Sequence, residues 1–109
     1  MNIEPDRRLQ DSELELSGCI YGHCPVQAQG AVRGRSFYFR AKHDEWSFSL
    51  AMRPDTESVD ICSSAQGFYR SGSYGKAHGR GPDAGWMPYD EVEQIIRRCI
   101  DEYLQTTVT

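Results

Sequence analysis

Hydrophobic and polar residues alternate through the stretch from residue 25 to residue 52, and the rest of the chain is organised around this pattern. In its last run, serine or alanine follows each of the apolar residues Trp46, Phe48 and Leu50, and Met52 continues the apolar side. A period of two is typical of a β-strand that buries one face. The run therefore predicts a strand whose apolar side packs against another element.

Two earlier runs in this stretch alternate in the same way. Residues 26–32 place small apolar residues on one side and mainly glutamine on the other. Residues 35–42 have an apolar side, Phe37, Phe39 and Ala41, and a polar side that consists of Tyr38, Arg40 and Lys42. The breaks at 33–34 and 43–45 are short and polar, as hairpin turns are. Together the three runs predict an antiparallel meander.

The segment before the meander contains one more predicted strand. Residues 13–21 alternate through Leu14 and Leu16, and Gly18 indicates a bulge or a bend within this strand. Residues 1–12 precede it and offer few large apolar side chains to bury. We therefore expect residues 1–12 to be flexible and loosely attached.

The pattern is weaker after the meander. Segments 59–62 and 65–70 are candidates for short strands, and a stretch that is rich in glycine follows them. Five of the 15 residues of 71–85 are glycine, so no regular element is expected there. A loop of this length in a compact domain is usually functional or mobile. We interpret residues 71–85 as a long loop.

Residues 88–105 predict a helix. Pro88 suits a first helical turn, and the acidic residues that follow it complement the positive end of the helix dipole. Apolar residues recur at intervals of three and one, which gives a single buried stripe: Val92, Ile95, Ile96, Cys99, Ile100, Tyr103 and Leu104. This stripe must pack against something, and the apolar side of the last meander strand is the candidate.

These elements predict the α+β class. An antiparallel sheet of four or five strands, with its meander at 25–52, has one face covered by the C-terminal helix, and residues 1–109 form a single domain. We expect the interface between helix and sheet to bury Trp46, Phe48, Leu50, Val92, Ile96 and Ile100. A helix standing away from the sheet would instead suggest a homodimer formed through the stripe.

Composition and charge limit the class of protein. Hydrophobic residues are 39% of the chain and charged residues 26%, too apolar for general disorder. No apolar run approaches the roughly 18 residues of a membrane helix, and the charged start does not resemble a signal peptide. We therefore expect a cytoplasmic protein without a membrane partner. The net charge is −4, which argues against general coating of nucleic acid.

The cysteines do not predict a metal site. In the cytoplasm we expect Cys19, Cys24, Cys62 and Cys99 to be reduced thiols. Their spacing contains no CxxC pair, and the least unsuitable ligand set is Cys19, His23, Cys24 and Cys62. Cys99 belongs to the apolar stripe of the helix. We expect no bound metal and no cofactor.

The residues that precede and begin the loop carry the chemistry that the rest of the chain lacks. Three histidines, in unrelated segments, do not form a coherent catalytic set with any nucleophile, so we expect no enzyme activity. By contrast, residues 64–82 hold three bases and no acid. Tyrosine and arginine dominate the energetics of protein interfaces. We predict a partner-binding site formed by Tyr69, Arg70, Tyr74, Lys76, His78 and Arg80.

The predicted function is therefore a non-catalytic module that binds another protein. The alternative is a single-stranded nucleic-acid-binding protein, because aromatic and basic side chains also interleave between residues 67 and 81. Only three positive charges support that alternative, and about seven net negative charges elsewhere in the chain oppose a polyanion. The protein-binding hypothesis is preferred on these grounds.

Four segments resemble small uncharacterised bacterial and prophage proteins. They are Cys-Pro-Val-Gln-Ala-Gln-Gly at 24–30, Phe-Tyr-Phe-Arg-Ala at 37–41, Trp-Ser-Phe-Ser-Leu-Ala at 46–51 and Ala-Gly-Trp-Met-Pro at 84–88. In size, acidity and compact α+β make-up the chain is also similar to anti-CRISPR proteins. That likeness is one of type, and no functional residue is transferred by it. It implies binding to an effector complex without catalysis, so we expect an inhibitor of a bacterial defence complex such as CRISPR-Cas.

Overall fold

The computed structural model describes residues 5–51, 67–74 and 84–107. Six β-strands precede a short 3-10 turn and a C-terminal α-helix. The strands form one sheet in the order β1-β2-β3-β4-β5-β6, and every neighbouring pair is antiparallel. The bounds are β1 Arg7–Asp11, β2 Leu16–Tyr21, β3 Val26–Val32, β4 Arg35–Lys42, β5 Glu45–Leu50, β6 Phe68–Ser73, the 3-10 turn Ala84–Trp86 and α1 Tyr89–Thr107.

The predicted α+β architecture is confirmed, with a sheet of six strands rather than four or five. The meander lies where the alternation predicts it, in β3, β4 and β5, and a strand at 13–21 is present as β2. The candidate strand at 59–62 and the position of Met52 lie outside the described residues. Within the described residues, no helix has the length and apolarity needed to cross a membrane.

Two segments differ from the prediction. The segment 1–12 was expected to be loosely attached, but β1 pairs with β2 along its whole length, and Leu9 is buried at its centre. Strand β6 also begins and ends later than the candidate at 65–70, so that residues 71–73 belong to the sheet rather than to the loop. In both strands few large apolar residues mark the sequence, and the pairing with a neighbouring strand determines the structure.

The hairpin turns follow from residues with positive φ. Arg33 and Gly34, at φ 51° and 79°, connect β3 and β4. A two-residue turn with two positive φ values matches the right-handed twist of its flanking strands. His43, at φ 61°, lies in the equally short turn between β4 and β5. These two turns set the register of the meander.

One face of the sheet, which we call the inner face, forms the hydrophobic core with α1. The core cluster joins strand residues and helix residues, and all six of the residues predicted for it are buried. The helix stripe contributes Val92, Ile96, Cys99, Ile100 and Tyr103 as buried residues, whereas Ile95 and Leu104 are half-buried beside them. Fully burying a large apolar side chain contributes about 1.5–3 kcal/mol. The predicted packing of the helix on the sheet is confirmed.

The helix contacts both edges of the sheet. Arg97 Nη1 lies 2.8 Å from Asp11 Oδ2 in β1, while the rings of Tyr103 and Phe68 in β6 meet edge to face at 5.5 Å. Six strands at the usual spacing of about 4.8 Å span more than twice the width of a helix. The side chains of α1 therefore reach from one edge of the sheet to the other across the inner face.

A glycine pair brings β2 and β3 close to an aromatic ring of β4. Gly18 and Gly30 are register partners on the inner face, beside Phe37. A Cβ at Gly30 would lie 2.0 Å from the Ser17 carbonyl oxygen and 2.9 Å from the Phe37 ring. The pairing through Gly18 is continuous, so the bulge expected there is absent. This glycine leaves room for the Phe37 ring instead.

The core contact predicts the effect of truncating the helix stripe. Replacing Ile96 by alanine should lower the free energy of unfolding by about 2–5 kcal/mol, because Ile96 is fully buried between helix and sheet. Urea denaturation followed by circular dichroism measures this change. Gln94→Ala on the exposed side of the same helix is the control and should stay within about 0.5 kcal/mol of the parent. Equal stability of both variants would contradict the described packing.

The glycine pair gives a second prediction. Gly30→Ala should destabilise the protein by roughly 1–3 kcal/mol, although alanine ordinarily suits a strand better than glycine. The reason is that the new Cβ would meet backbone atoms of β2, which cannot move away as a flexible side chain can. Thermal unfolding measures the difference, with Ser17→Ala, at an exposed position of β2, as the control. A stabilised Gly30→Ala variant would show that the strands are further apart.

Candidate functional site

The face of the sheet opposite the helix, here called the polar face, carries no large aliphatic residue on its described strands. Alternation and register place two adjoining rows of side chains on it. The first row is Arg8, Cys19, Gln29, Tyr38, Ser49 and Tyr69, and the second is Tyr21, Gln27, Arg40, Ser47 and Ser71. The polar face therefore presents tyrosine, amide, hydroxyl and basic groups together.

A groove lies on this face where β4, β5 and β6 meet. Its volume is about 330 Å³. The residues that line it include Tyr69, which the sequence predicts as a partner-binding residue, and two basic residues that it does not, Arg40 and Lys42. The other lining residues are His43, Glu45, Trp46, Ser47 and Ser71. The described lining of this groove has one carboxylate, that of Glu45, beside the basic side chains of Arg40 and Lys42.

The other two tyrosines of the polar face lean towards β3. Tyr38 donates its hydroxyl to Gln27 Oε1 at 2.6 Å, and Tyr21 donates to Gln29 Oε1 at 3.4 Å. Burial, followed by the neighbouring Tyr38 and Cys19, raises the pKa of Tyr21. The Tyr21 phenol therefore stays a neutral hydrogen-bond donor. Both rings are held by a glutamine of β3, the strand between them.

Basic residues on the two sides of the sheet differ in their partners. On the helix side, Arg7 contacts Asp90, and Arg97 bonds both Asp11 and Glu93 at 2.8 and 2.9 Å. These contacts lower the pKa of Asp11, mainly through the hydrogen bond from Arg97. On the polar face, Arg8, Arg40 and Lys42 make no ion pair with another described residue. The ion pairs between described residues therefore lie on the helix side and at the turn of Arg33.

Arg70 does not lie with Tyr69, although the two are neighbours in sequence. Register places Arg70 opposite Phe48 on the inner face. Its Nε donates to Glu102 Oε2 of α1 at 2.8 Å, and its guanidinium carbon lies 4.2 Å from the centre of the Phe68 ring. Alternation along β6 therefore places Tyr69 and Arg70 on opposite faces of the sheet, and Arg70 connects β6 to α1 through Glu102.

Tyr74 also turns towards the helix. Its hydroxyl donates to Glu91 Oε2 at 2.7 Å, and its backbone N–H donates to the carbonyl of Asp44. Burial and then the hydrogen bond to Glu91 raise the pKa of Tyr74 to about 12. Of the predicted site, Tyr69 alone among the described residues faces the groove. Lys76, His78 and Arg80 lie outside the described residues.

Sequence reasoning missed the basic residues of β4 as part of a site. The alternation of 35–42 already put Tyr38, Arg40 and Lys42 on one side of a strand. The alternation did not show which strands are neighbours, and only the pairing of β5 with β4 and β6 brings Tyr69 beside these residues. A polar side that contains two bases and no acid was the available signal.

A histidine close to the second cysteine forms an aromatic stack away from the polar face. The His23 ring lies between Trp86 at 5.2 Å and Tyr89 at 5.3 Å, nearly parallel to both. Its two nitrogens are buried, and neither has a hydrogen-bond partner among the described residues. Trp86 is 44% exposed. The stack packs the 3-10 turn against the β2–β3 connection.

The described residues contain no group of three or more histidine, cysteine or acidic side chains that could hold a metal ion. Cys24 is exposed, Cys19 is half-buried on the polar face, and Cys99 is buried in the core. Cys62, the fourth member of the least unsuitable ligand set, lies outside the described residues. Burial raises the pKa of the Cys99 thiol to about 12.

Comparison with known proteins adds no identification. No family model matches the chain, and neither a curated protein nor a solved structure is significantly similar to it. The candidate site therefore rests on the geometry of the polar face.

The thiol environments predict selective modification. At pH 8 Cys24 should react rapidly with dithionitrobenzoate, whereas Cys99 should not, because the reactive thiolate is scarce far below a pKa of about 12. Counting rapidly reacting thiols in Cys24→Ser and Cys99→Ala tests this. The first variant should lose one rapid equivalent and the second none, while both should lose one after denaturation in guanidinium. Loss of a rapid equivalent in Cys99→Ala would contradict its burial.

Proposed function

We propose that this chain is a non-catalytic binding module that contacts its partner through the polar face. The observation that carries the proposal is the separation of charge. On the helix side, Arg7, Arg70 and Arg97 are engaged by acids of β1 and α1. On the polar face, Arg8, Arg40 and Lys42 have no ion-pair partner among the described residues. Exposed basic groups beside tyrosines support a contact surface.

One candidate for the partner is another protein. Tyrosine and arginine give large contact areas and strong hydrogen bonds at interfaces, and the groove beside Tyr69 brings both side-chain types together. The likeness in type to anti-CRISPR proteins suggests the more specific version, an inhibitor of a bacterial defence complex. Single-stranded nucleic acid is the other candidate, because basic side chains that have no ion-pair partner among the described residues lie beside tyrosines on the same face.

Affinity capture from a bacterial host lysate, with and without nuclease, tests the module. The double variant Tyr69→Ala plus Arg40→Ala should lose the captured partner, because it removes the ring and one of the charges of the groove. Arg98→Ala removes one positive charge from the exposed side of α1 and should retain the partner.

The result also locates the surface. A protein captured after nuclease treatment and lost in the double variant supports a protein partner. A partner that the double variant retains would overturn the proposal and move the contact to the helix surface formed by Asp90, Glu93, Arg97 and Asp101. Thermal unfolding of each variant confirms that loss of the partner is not loss of fold.

A further inference from the structure

We infer that the polar face binds single-stranded nucleic acid, an inference that rests on the proposed role of this face as the contact surface. The charge of the molecule opposes such a ligand only when it is averaged over the chain. Acids of α1 lie on the other side of the sheet, and Asp90, Glu93 and Glu102 are engaged there by arginines. Among the described residues, a ligand on the polar face meets three basic side chains without an ion-pair partner, Arg8, Arg40 and Lys42, and the carboxylate of Glu45.

The distribution of the basic side chains suits a flexible polyanion. Arg40 and Lys42 are two residues apart on β4 and both line the groove, so their Cα atoms are separated by about 6.6 Å. Arg8 lies on β1, three strands away from Arg40 in the sheet order. Positive charges that are separated from one another can follow a phosphate backbone. A compact acidic patch on a protein partner would instead be bound by a single cluster of basic side chains.

The uncharged side chains of the polar face suit a nucleic-acid partner better than a protein partner. The centre of a protein interface is more apolar than its rim and contains tightly packed hydrophobic side chains. The described strands offer no valine, leucine, isoleucine, methionine or phenylalanine on this face. They offer tyrosine rings, on which bases stack, and glutamine and serine groups, which can hydrogen-bond to base edges.

The spacing of the rings favours an unpaired strand. Tyr38 and Tyr69 are both opposite Ser49 in the register, one on each side of β5, which places their Cα atoms about 10 Å apart. Stacking on such rings requires bases that are free to leave their own stack, as in a single strand. The bases of a duplex are already stacked and cannot reach these rings without being unpaired.

Fluorescence anisotropy with a fluorescein-labelled 15-nucleotide oligo(dT) or oligo(U) tests the inference, and a labelled 15-base-pair duplex is the comparison. With three phosphate contacts, the logarithm of the binding constant should fall with the logarithm of salt concentration with a slope of about −2 for a single strand. Replacing Arg40 and Lys42 by alanine should reduce this slope to about −0.7.

Two further variants separate stacking from charge. Tyr69→Ala should weaken binding by about 5- to 150-fold with little change in the salt slope, because it removes a stacking surface and no charge. Arg98→Ala on the helix should leave both quantities unchanged. Thermal unfolding verifies that every variant is folded.

Tighter binding of the single strands than of the duplex, with these variant effects, supports the inference. It is overturned if no single strand binds at 50 mM salt, if the duplex binds equally well, or if the polar-face variants bind like the parent. If no oligonucleotide binds while a protein is still captured through Tyr69 and Arg40, the proposed module stands with a protein partner. If neither is found, both proposals fail.

Discussion

The rest of the fold depends on the contact between the apolar stripe of α1 and the inner face of the sheet. The buried face of α1, together with Ala84 and Met87 just before it, covers the inner face, so every strand depends on this layer to remove apolar surface from water. Phe39 and Phe48 lie at the centre of this contact and are fully buried. A two-layer domain of this size has no second core that could compensate for the loss of this one.

The same contact explains why the two sides of the sheet differ in charge. Because α1 brings its acids close to both sheet edges, Arg7 and Arg70 become part of the fold and are no longer available to a partner. Exposed ion pairs of this kind each contribute about 0–1 kcal/mol, so they orient the helix more than they stabilise it. Arg8, Arg40 and Lys42 lie on the polar face because the strand alternation excludes them from the core.

Much of the fold could be predicted because local pattern and tertiary packing agree. Alternation marks β3, β4 and β5, and the stripe of α1 has the period of a helix, so burial and sequence give the same assignment. Strand β1 could not be recognised in this way, since a single buried residue, Leu9, occupies its centre. Its structure depends on the neighbouring strand and on ion pairs with a helix some 80 residues later in the chain.

The candidate site was harder to predict because it is a property of pairing. A row across a sheet takes one residue from each strand, and no sequence window contains such a row. Neighbours in sequence point to opposite faces, which is why Tyr69 lies at the groove and Arg70 lies under the helix. The loop residues were grouped by proximity along the chain, whereas the face groups Tyr69 with Arg40 and Lys42.

The dependence of β1 on its neighbouring strand and on α1 has a practical consequence for any shortened form of the protein. A chain that begins after Asp11 would lack the ladder partner of β2 and would leave an edge of unpaired backbone groups beside Ile20 and Leu16. Exposed edges of this type recruit strands from other molecules. A deletion that looks harmless in the sequence would thus replace the charged edge strand β1 by the more apolar β2. Self-association of the truncated form would then say nothing about the natural partner.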